Sequence, residues 1–209
     1  MTTARARTSV VDLTPEDLRG RLDDALSVYV TAMGYPAGTA RQRSPMWTEH
    51  SRRPGWRAVG AVDDRGALRG IAYGYPGAAG QWWFEEVRRG LSALRRTQFD
   101  QAVSGIVDAD RAAAFVADYF ELTELHVDPR AQGRGIGEAL ARRLLGRADA
   151  GHVLLSTPEA RGRSRAWSLY RRLGFEDVLR HHRFSSDPRP FAVLGRPLPL
   201  PPPPEAPPA

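Results

Sequence analysis

Gly133, Gly135 and Gly137 alternate with other residues directly before a stretch that favours a helix. The first amides of a helix have no intrahelical partner and carry a partial positive charge. Glycine lets an anion reach those amides without a Cβ clash. We therefore predict a phosphate-binding loop here, with Arg130 and Arg134 as further charged contacts. A tight turn without a ligand is the alternative, but such a turn would need fewer glycines.

Two nucleotide-binding loops describe this stretch poorly. A Walker-type loop needs a lysine, and the chain contains none. A dinucleotide-binding loop needs the pattern G-x-G-x-x-G tight against its strand, with an acidic residue about 20 positions further on. The pattern here is G-x-G-x-G, and no acidic residue stands clearly at the required distance.

The glycine loop belongs to a series of alternating helices and strands. A capped helix is predicted from Thr14 to Met33, followed by a weaker helix that is interrupted at Pro45. The later predictions are two strands within 56–75, a mainly helical region at about 80–117, strand 119–127, helix 136–148, strand 152–156, helix 163–173, and strands 175–184 and 191–195. This alternation predicts a mixed α/β sheet in a single domain.

The chain of 209 residues is long enough for one domain with a hydrophobic core. We assign residues 1–196 to this domain, with a helical insertion at about 77–117, and residues 197–209 to a proline-rich tail that we expect to be disordered. The chain has no cysteine, no apolar run of membrane-spanning length and no secretory signal. We therefore expect a cytoplasmic protein without a membrane partner.

The net charge of +6 comes from arginine alone, because the chain has no lysine. A coding preference for arginine and a nucleic-acid surface are the two interpretations. The arginines are scattered and no aromatic-rich recognition motif lies between them, so we expect no nucleic-acid partner. We also expect no metal site, because His181 and His182 have no third ligand at a suitable spacing.

Three stretches together resemble the GCN5-related N-acetyltransferase (GNAT) family. ELTELHVDP is similar to the fourth strand of the family, QGRGIG to its signature Q/R-x-x-G-x-G/A, and AWSLYRRLGF to its later helix, with a tyrosine four residues before Gly-Phe. The resemblance covers roughly residues 55–200 and is closest over 119–176. It implies a mixed α/β fold with a splayed central sheet flanked by helices. The helical segment before the fourth strand is longer than the core fold of the family needs.

The resemblance implies transfer of an acetyl group from acetyl-CoA to a primary amine. Direct attack in a ternary complex is expected, because no cysteine is present to form an acyl-enzyme. The coenzyme A pyrophosphate would lie on the glycine loop, and the pantetheine arm would pair with the fourth strand where the sheet splays. The implied cofactor-binding residues are Leu125, His126, Val127, Gln132, Gly133, Arg134, Gly135, Ile136, Gly137 and Ser164. The family often has an asparagine where this chain has Arg163, so Arg163 or Ser164 is expected to take over that contact.

An amine that attacks a thioester must lose a proton, and the leaving thiolate must gain one. Tyr170 is the candidate acid, since a phenol with a pKa near 10 is protonated at neutral pH; core packing is its alternative role.

Glu121 and Glu124 are the candidate bases, and either could instead be a solvated strand residue. They point to opposite faces of a regular strand, so only one should reach the gap unless a bulge intervenes. A glutamate pKa near 4.3 lies about six units below that of an ammonium, so the base needs a raised pKa or a chain of waters.

Trp82, Trp83 and Glu85 form the most distinctive stretch outside these motifs. Aromatic faces and a carboxylate could receive a cationic acceptor, so we predict that they bind substrate. The alternative is an amphipathic helix that packs its tryptophans on the core.

Three further matters stay open at the level of sequence. A non-catalytic acyl-CoA sensor on the same scaffold would bind the cofactor without depending on Tyr170. The acceptor could be an antibiotic, a polyamine, an amino acid or a protein amine. Many relatives of this family are dimers, so a homodimer is compatible with the resemblance.

Overall fold

A computed structural model describes residues 7–97, 108–159 and 164–203 of the chain. Its strands are β1 (Thr8–Leu13), β2 (Arg57–Asp63), β3 (Leu68–Pro76), β4 (Tyr119–Val127), β5 (His152–Pro158), β6 (Glu176–His182) and β7 (Phe191–Pro197). Its helices are α1 (Pro15–Gly20), α2 (Leu22–Met33), α3 (Thr39–His50), α4 (Trp82–Thr97), α5 (Ala109–Ala117), α6 (Ile136–Leu145) and α7 (Arg165–Arg172). None of the helices in these ranges has both the length and the apolar composition that crossing a bilayer requires.

The strands form one seven-stranded sheet in the order β1-β2-β3-β4-β5-β7-β6. Every neighbouring pair is antiparallel except β4 and β5, which are parallel. That parallel pairing covers only residues 119–121 of β4 and 152–154 of β5, after which the two strands diverge. The predicted mixed α/β fold with a splayed central sheet is confirmed.

Helices cover both faces of the sheet. One face packs against α6 and α7 through a core that includes Leu140, Leu144 and Leu169. The other face has two cores. One lies under α2 and α3 around Trp47 and Tyr73, and the other lies under α4 and α5. The predicted helical insertion therefore covers the β5–β7 half of this second face, although residues 98–107 lie outside the described ranges.

Two of the predicted helices differ from the structure. The predicted helix 14–33 begins with a capping box between Thr14 and Asp17 and ends at Gly34, but it is broken at Arg21 into α1 and α2. The predicted interruption at Pro45 does not occur, because α3 continues through this residue. Trp47, two residues after Pro45, is completely buried. Its tertiary packing therefore outweighs the local cost of a proline inside the helix. The edge strand β1 has no counterpart in the sequence prediction, and only one of its six residues is buried.

The start of the proline-rich tail lies against the domain rather than being disordered. Leu198 and Leu200 pack on the core under α6, and the backbone amide of Leu198 donates to the carbonyl of Gly151 at 2.9 Å. The guanidinium of Arg142 donates to the carbonyl of Pro201 at 2.6 Å. Proline cannot pair in a sheet, but its carbonyl still accepts hydrogen bonds, and the two leucines supply apolar contact. Residues 204–209 lie outside the described ranges.

A β-bulge in β4 decides where its two glutamates point. Glu124 is paired with Tyr73 and Leu122 with Gly74, so Thr123 is an extra residue without a partner on β3. Glu121 is paired with Tyr75. Since residues 73 and 75 of a strand share a face, Glu121 and Glu124 lie on that same face. The expectation of opposite faces holds only for a regular strand.

We expect Gly74→Ala to lower the free energy of unfolding by about 2–3 kcal/mol, the cost of forcing extra volume into a packed site. A Cβ at position 74 would lie 2.1 Å from the carbonyl oxygen of Glu121 and 2.4 Å from the ring of Phe120. Urea unfolding measures the change. Gly20→Ala is the control, since nothing lies within 4 Å of its added Cβ; it should be neutral or stabilising. Equal stability of the two variants would contradict the tight packing at the bulge.

Candidate active site

The three glycines of the loop are required for two different reasons. Gly133 and Gly135 both have φ of +76°, a left-handed conformation that side chains rarely adopt, and nothing lies within 4 Å of a Cβ built on either. Their backbone is therefore open to an approaching group. Gly137 is in the first turn of α6, and its Cβ would lie 3.3 Å from Leu169 and 3.7 Å from Val127. The third glycine thus allows β4, α6 and α7 to pack closely.

A cleft of about 420 Å³ opens beside this loop, between β4, the start of α6 and α7. Seven of the ten predicted cofactor residues line it: Leu125, Val127, Gln132, Gly133, Gly135, Ile136 and Gly137. The remaining lining residues are Glu138, Arg165, Ala166, Ser168, Leu169, Tyr170 and Arg172. The structure therefore brings the glycine loop, the middle of β4 and Tyr170 to one cavity.

Gln132 connects the parts of this cleft. Its side-chain amide donates to the carbonyl of Val127 at 3.0 Å, and its oxygen accepts from the guanidinium of Arg165 at 2.8 Å. Arg165 and Arg172 supply positive charge to the cleft. Sequence reasoning missed both, although residues seven apart on a helix share a face.

Three predicted cofactor residues do not line the cleft. Ser164 is the N-cap of α7, and its hydroxyl accepts from the amide of Trp167 at 3.2 Å. Arg134 is exposed and donates to the carbonyl of Arg130 at 3.4 Å. The side chain of His126 points to the other face of the sheet, as described below. The neighbouring Arg163 lies outside the described residues. The charge of Arg130 is offset by Asp128, whose carboxylate it contacts at 2.8 Å and whose pKa it lowers.

Tyr170 is buried at the inner end of the cleft. Its ring packs against Phe175 with centroids 5.6 Å apart. Burial, and then the negative charge of Glu124, raises the pKa of its hydroxyl well above 10. The phenol is therefore protonated over the whole physiological range and is available as an acid.

Glu124 lies among aromatic hydroxyl groups on the face opposite the cleft. Its carboxylate contacts Nε2 of His126 at 2.5 Å, and the His126 ring packs edge-on against Tyr29 at 4.9 Å. Burial, followed by the charge of Glu124, raises the pKa of Tyr29 to about 12 and that of Tyr73 well above 10. After burial, the negative charge of Glu124 is the second cause of the raised pKa of Tyr170, so this charge acts across the sheet on the cleft side.

Glu121 is buried, with 3% of its surface exposed. One carboxylate oxygen accepts weakly from Thr123 at 3.3 Å and from Tyr75 at 3.5 Å. Within the described residues, its other oxygen has no hydrogen-bond partner. Burial raises the pKa of Glu121 to about 8, although the nearby Arg53 opposes this effect. This carboxyl group is therefore half-ionised near pH 8 and has an oxygen free to take a proton.

The predicted substrate-binding residues of α4 make structural contacts. Trp83 is buried in the core under α4 and α5, and its indole donates to the hydroxyl of Ser156 at 3.2 Å. Glu85 pairs with Arg88 at 2.8 Å, and Trp82 packs on Phe184 at 5.4 Å. The contacts of Trp83 correspond to the packing interpretation, since an amphipathic helix turns large apolar side chains to the sheet, whereas Trp82 has 48% of its surface exposed.

No group of three or more potential metal ligands comes together within the ranges that the structure describes. His181 pairs instead with Glu159 at 2.5 Å. The other member of the pair, His182, packs its ring on Phe184 at 4.7 Å. The adjacent histidines thus take part in separate structural contacts.

Comparison with known proteins shows that this chain is similar to acetyltransferases. Residues 97–177 match a family model described as an acetyltransferase (GNAT) domain. A GCN5-like protein acetyltransferase of Mycobacterium tuberculosis is 51% identical over 213 residues, which cover 91% of this chain and 98% of that protein.

Solved structures share the fold at lower identity. The ribosomal-protein-S18-alanine N-acetyltransferase of Escherichia coli is 14% identical with a TM-score of 0.57, over 91% of this chain and 94% of that one. A phosphinothricin acetyltransferase of Sinorhizobium meliloti, solved with AcCoA, is 20% identical with a TM-score of 0.51, over 91% and 88%. Because half of its residues are identical to a curated GCN5-like acetyltransferase over nearly the full length of both, the chain belongs to the GCN5-related N-acetyltransferase family and is an acetyltransferase.

Proposed function

We propose that this enzyme moves an acetyl group from acetyl-CoA to a primary amine by direct attack in a ternary complex. The observation that carries the proposal is the divergence of β4 from β5, with Tyr170 on one face and both β4 glutamates on the other. The mycobacterial relative, which is 51% identical, is described as a protein acetyltransferase. We therefore propose an amine carried by a protein as the acceptor.

The cleft beside the glycine loop is the proposed site of acetyl-CoA. The amides of residues 133–137 would bind the pyrophosphate, with Arg165 and Arg172 adding positive charge. Beyond Glu121, β4 has no pairing with β5, so the backbone at Leu125–Val127 can pair with the amides of the pantetheine arm. This arrangement would direct the thioester to the gap, next to Tyr170.

Glu124 and Glu121 divide the work on the amine in this proposal. Glu124 binds the ammonium, since after burial its negative charge is the second cause of the raised pKa of Tyr170. Glu121 takes the proton: a pKa of about 8 reduces the mismatch with an ammonium near 10.4 to roughly 2.4 units, or about 3 kcal/mol, compared with about 8 kcal/mol for an ordinary glutamate. The neutral nitrogen then attacks the thioester carbonyl, the C–S bond breaks, and Tyr170 protonates the leaving thiolate. The acylated nitrogen gives its second proton to the Tyr170 phenolate, and Glu121 releases the proton it took to solvent.

Tyr170→Phe should lower kcat about 100-fold, the lower end of the usual contribution of a general acid, and leave the Kd for acetyl-CoA within about twofold. Release of free coenzyme A in the presence of an amine measures kcat, and calorimetry measures Kd. Undiminished turnover would remove Tyr170 as the acid. A coenzyme A sensor without activity would show no release even with the unchanged enzyme.

Glu121→Gln should abolish the rise of kcat/KM with pH through about 8, because an amide cannot take the proton. The titratable and charged groups that face this carboxyl are Arg53, Glu124, Tyr73, Tyr75 and Tyr119, and Thr123 also contacts it. A variant whose pH profile matches that of the unchanged enzyme would contradict the role of Glu121 as base.

The same substitution should stabilise the fold at high pH. The pKa of Glu121 is raised on folding from 4.5 to about 8, so the folded state holds an extra proton between these values and stability falls as pH rises through them. Glu121→Gln removes this loss. Its free energy of unfolding in urea should exceed that of the unchanged protein by about 2–4 kcal/mol at pH 9 and by little at pH 5. An equal difference at both pH values would show that burial does not shift this group.

Gly135→Ala should weaken acetyl-CoA binding at least about 10-fold, because a Cβ strains the left-handed backbone and intrudes between amide and phosphate. Gly66→Ala is a matched control: Gly66 has φ of +80° and nothing within 4 Å of its Cβ, but it lies in the β2–β3 turn. Both variants should lose about 1–2 kcal/mol of stability, and only Gly135→Ala should lose affinity in calorimetry. Equal affinities would place the pyrophosphate elsewhere.

A further inference from the structure

Arginines flank the face of the sheet that carries Glu121 and Glu124. The guanidinium carbon of Arg53 lies 4.4 Å from the ring centre of Tyr75, whose hydroxyl is 3.5 Å from Glu121. At the other end, Arg189 donates to the hydroxyl of Tyr35 at 2.8 Å. This contact joins the segment between α2 and α3 to the segment between β6 and β7.

Arg189 is connected to Glu124 by a continuous row of rings. The ring of Tyr35 packs edge-on against Tyr29 at 5.6 Å, and Tyr29 packs against His126 at 4.9 Å. His126 in turn contacts Glu124 at 2.5 Å. Arg53 and Arg189 are therefore each linked to one of the two glutamates through aromatic side chains on the same face of the sheet.

Arg43 adds a third positive charge to this region. Its charge opposes the rise in the pKa of Tyr29 that burial and Glu124 cause, and it also contributes to the low pKa of His50. Among the described residues, neither Arg43 nor Arg53 is within ion-pair distance of a carboxylate, whereas Arg189 pairs with Asp187 at 2.6 Å.

The balance of charge at this face is unexpected for an enzyme that accepts a cation. Three arginines are offset by Asp187 and Glu124, because Glu121 is largely protonated at neutral pH. A polycationic acceptor would meet one favourable carboxylate and a repulsive rim. An acceptor with a negative charge beside its amine would interact favourably both with the carboxylate of Glu124 and with the arginines.

We propose that the acceptor carries a carboxylate close to its primary amine, with Glu124 binding the ammonium and the rim of Arg53, Arg189 and Arg43 binding the carboxylate. This inference rests on the proposed function. For an amine on a protein, it specifies a lysine or amino terminus flanked by Asp or Glu. A free amino acid offers the same pair of groups and is a separate arm of the test.

The test uses four kinds of acceptor with the full-length enzyme and acetyl-CoA: matched peptides with one lysine flanked by Glu, by Gln or by Arg, and free glutamate and lysine. Because the enzyme contains no lysine, lysine acetylation detected by mass spectrometry belongs to the acceptor. We expect kcat/KM for the Glu-flanked peptide to be about tenfold above that for the Gln-flanked peptide, and the Arg-flanked peptide to be poorest. The preference should shrink between 0.05 and 0.5 M salt, because salt screens exposed charges.

Variants connect the preference to the rim. Arg53→Gln and Arg189→Gln should each reduce the Glu-to-Gln ratio about threefold, whereas Arg19→Gln, an exposed arginine of α1 that pairs with Glu16, should preserve it. Equal use of all three peptides, or preference for the Arg-flanked one, overturns the inference and leaves the proposed function intact. If free amino acids are used more efficiently than every peptide, the acceptor still carries a carboxylate close to its amine, but a protein acceptor is rejected. No coenzyme A release with any amine overturns the proposed function, and the inference with it.

Discussion

The site depends on one feature of the sheet: β4 and β5 pair over three residues each and then separate. A strand that loses a neighbour must find other hydrogen-bond partners, because unpaired backbone groups in a protein interior are costly. On the α6 side, the separation leaves a cleft whose walls are β4, α7 and an open glycine loop. On the other side it leaves room for carboxylates among aromatic rings. The cleft therefore follows from the break in the pairing of β4 with β5, and the shared face of the glutamates follows from the bulge in the pairing of β4 with β3.

The face that carries the glutamates is a poor core by the criteria of stability alone. Within the described residues, one oxygen of Glu121, the hydroxyl of Tyr119 and the indole nitrogens of Trp47 and Trp56 are buried without a hydrogen-bond partner. Each such group costs roughly 1–3 kcal/mol. The fully buried side chains around them, among them Leu18, Leu26 and Ile71, stabilise the fold enough to tolerate this cost. The same burial raises the pKa of Glu121 to about 8, as the proposed proton transfer from an amine requires.

The parts of the site that follow the chain locally could be predicted. The glycine loop, the strand before it and the helix with Tyr170 are each continuous in sequence, and the cleft contains seven of the ten residues predicted for the cofactor. The contacts between segments that are distant in the sequence could not be predicted. Arg165 and Arg172 join the cleft only because α7 packs against Gly137, and Ser164 is used as a helix cap instead. Trp83 was open to two interpretations because amphipathic helices and aromatic binding surfaces share the same composition, and only its neighbours in the core distinguish them.

Apart from β1 and the break between α1 and α2, the sequence by itself determined the order of strands and helices. It also determined the mixed α/β class, the family resemblance and the loop that starts α6, because periodicity, caps and glycine positions are local properties. The tertiary structure decided that Glu121 and Glu124 share a face, since the bulge at Thr123 arises from pairing with β3. It also decided the raised pKa of Glu121 and the meeting of Arg189 with Tyr35, 154 residues apart. Burial and long-range contact are properties of the packed chain, and no stretch of sequence contains them.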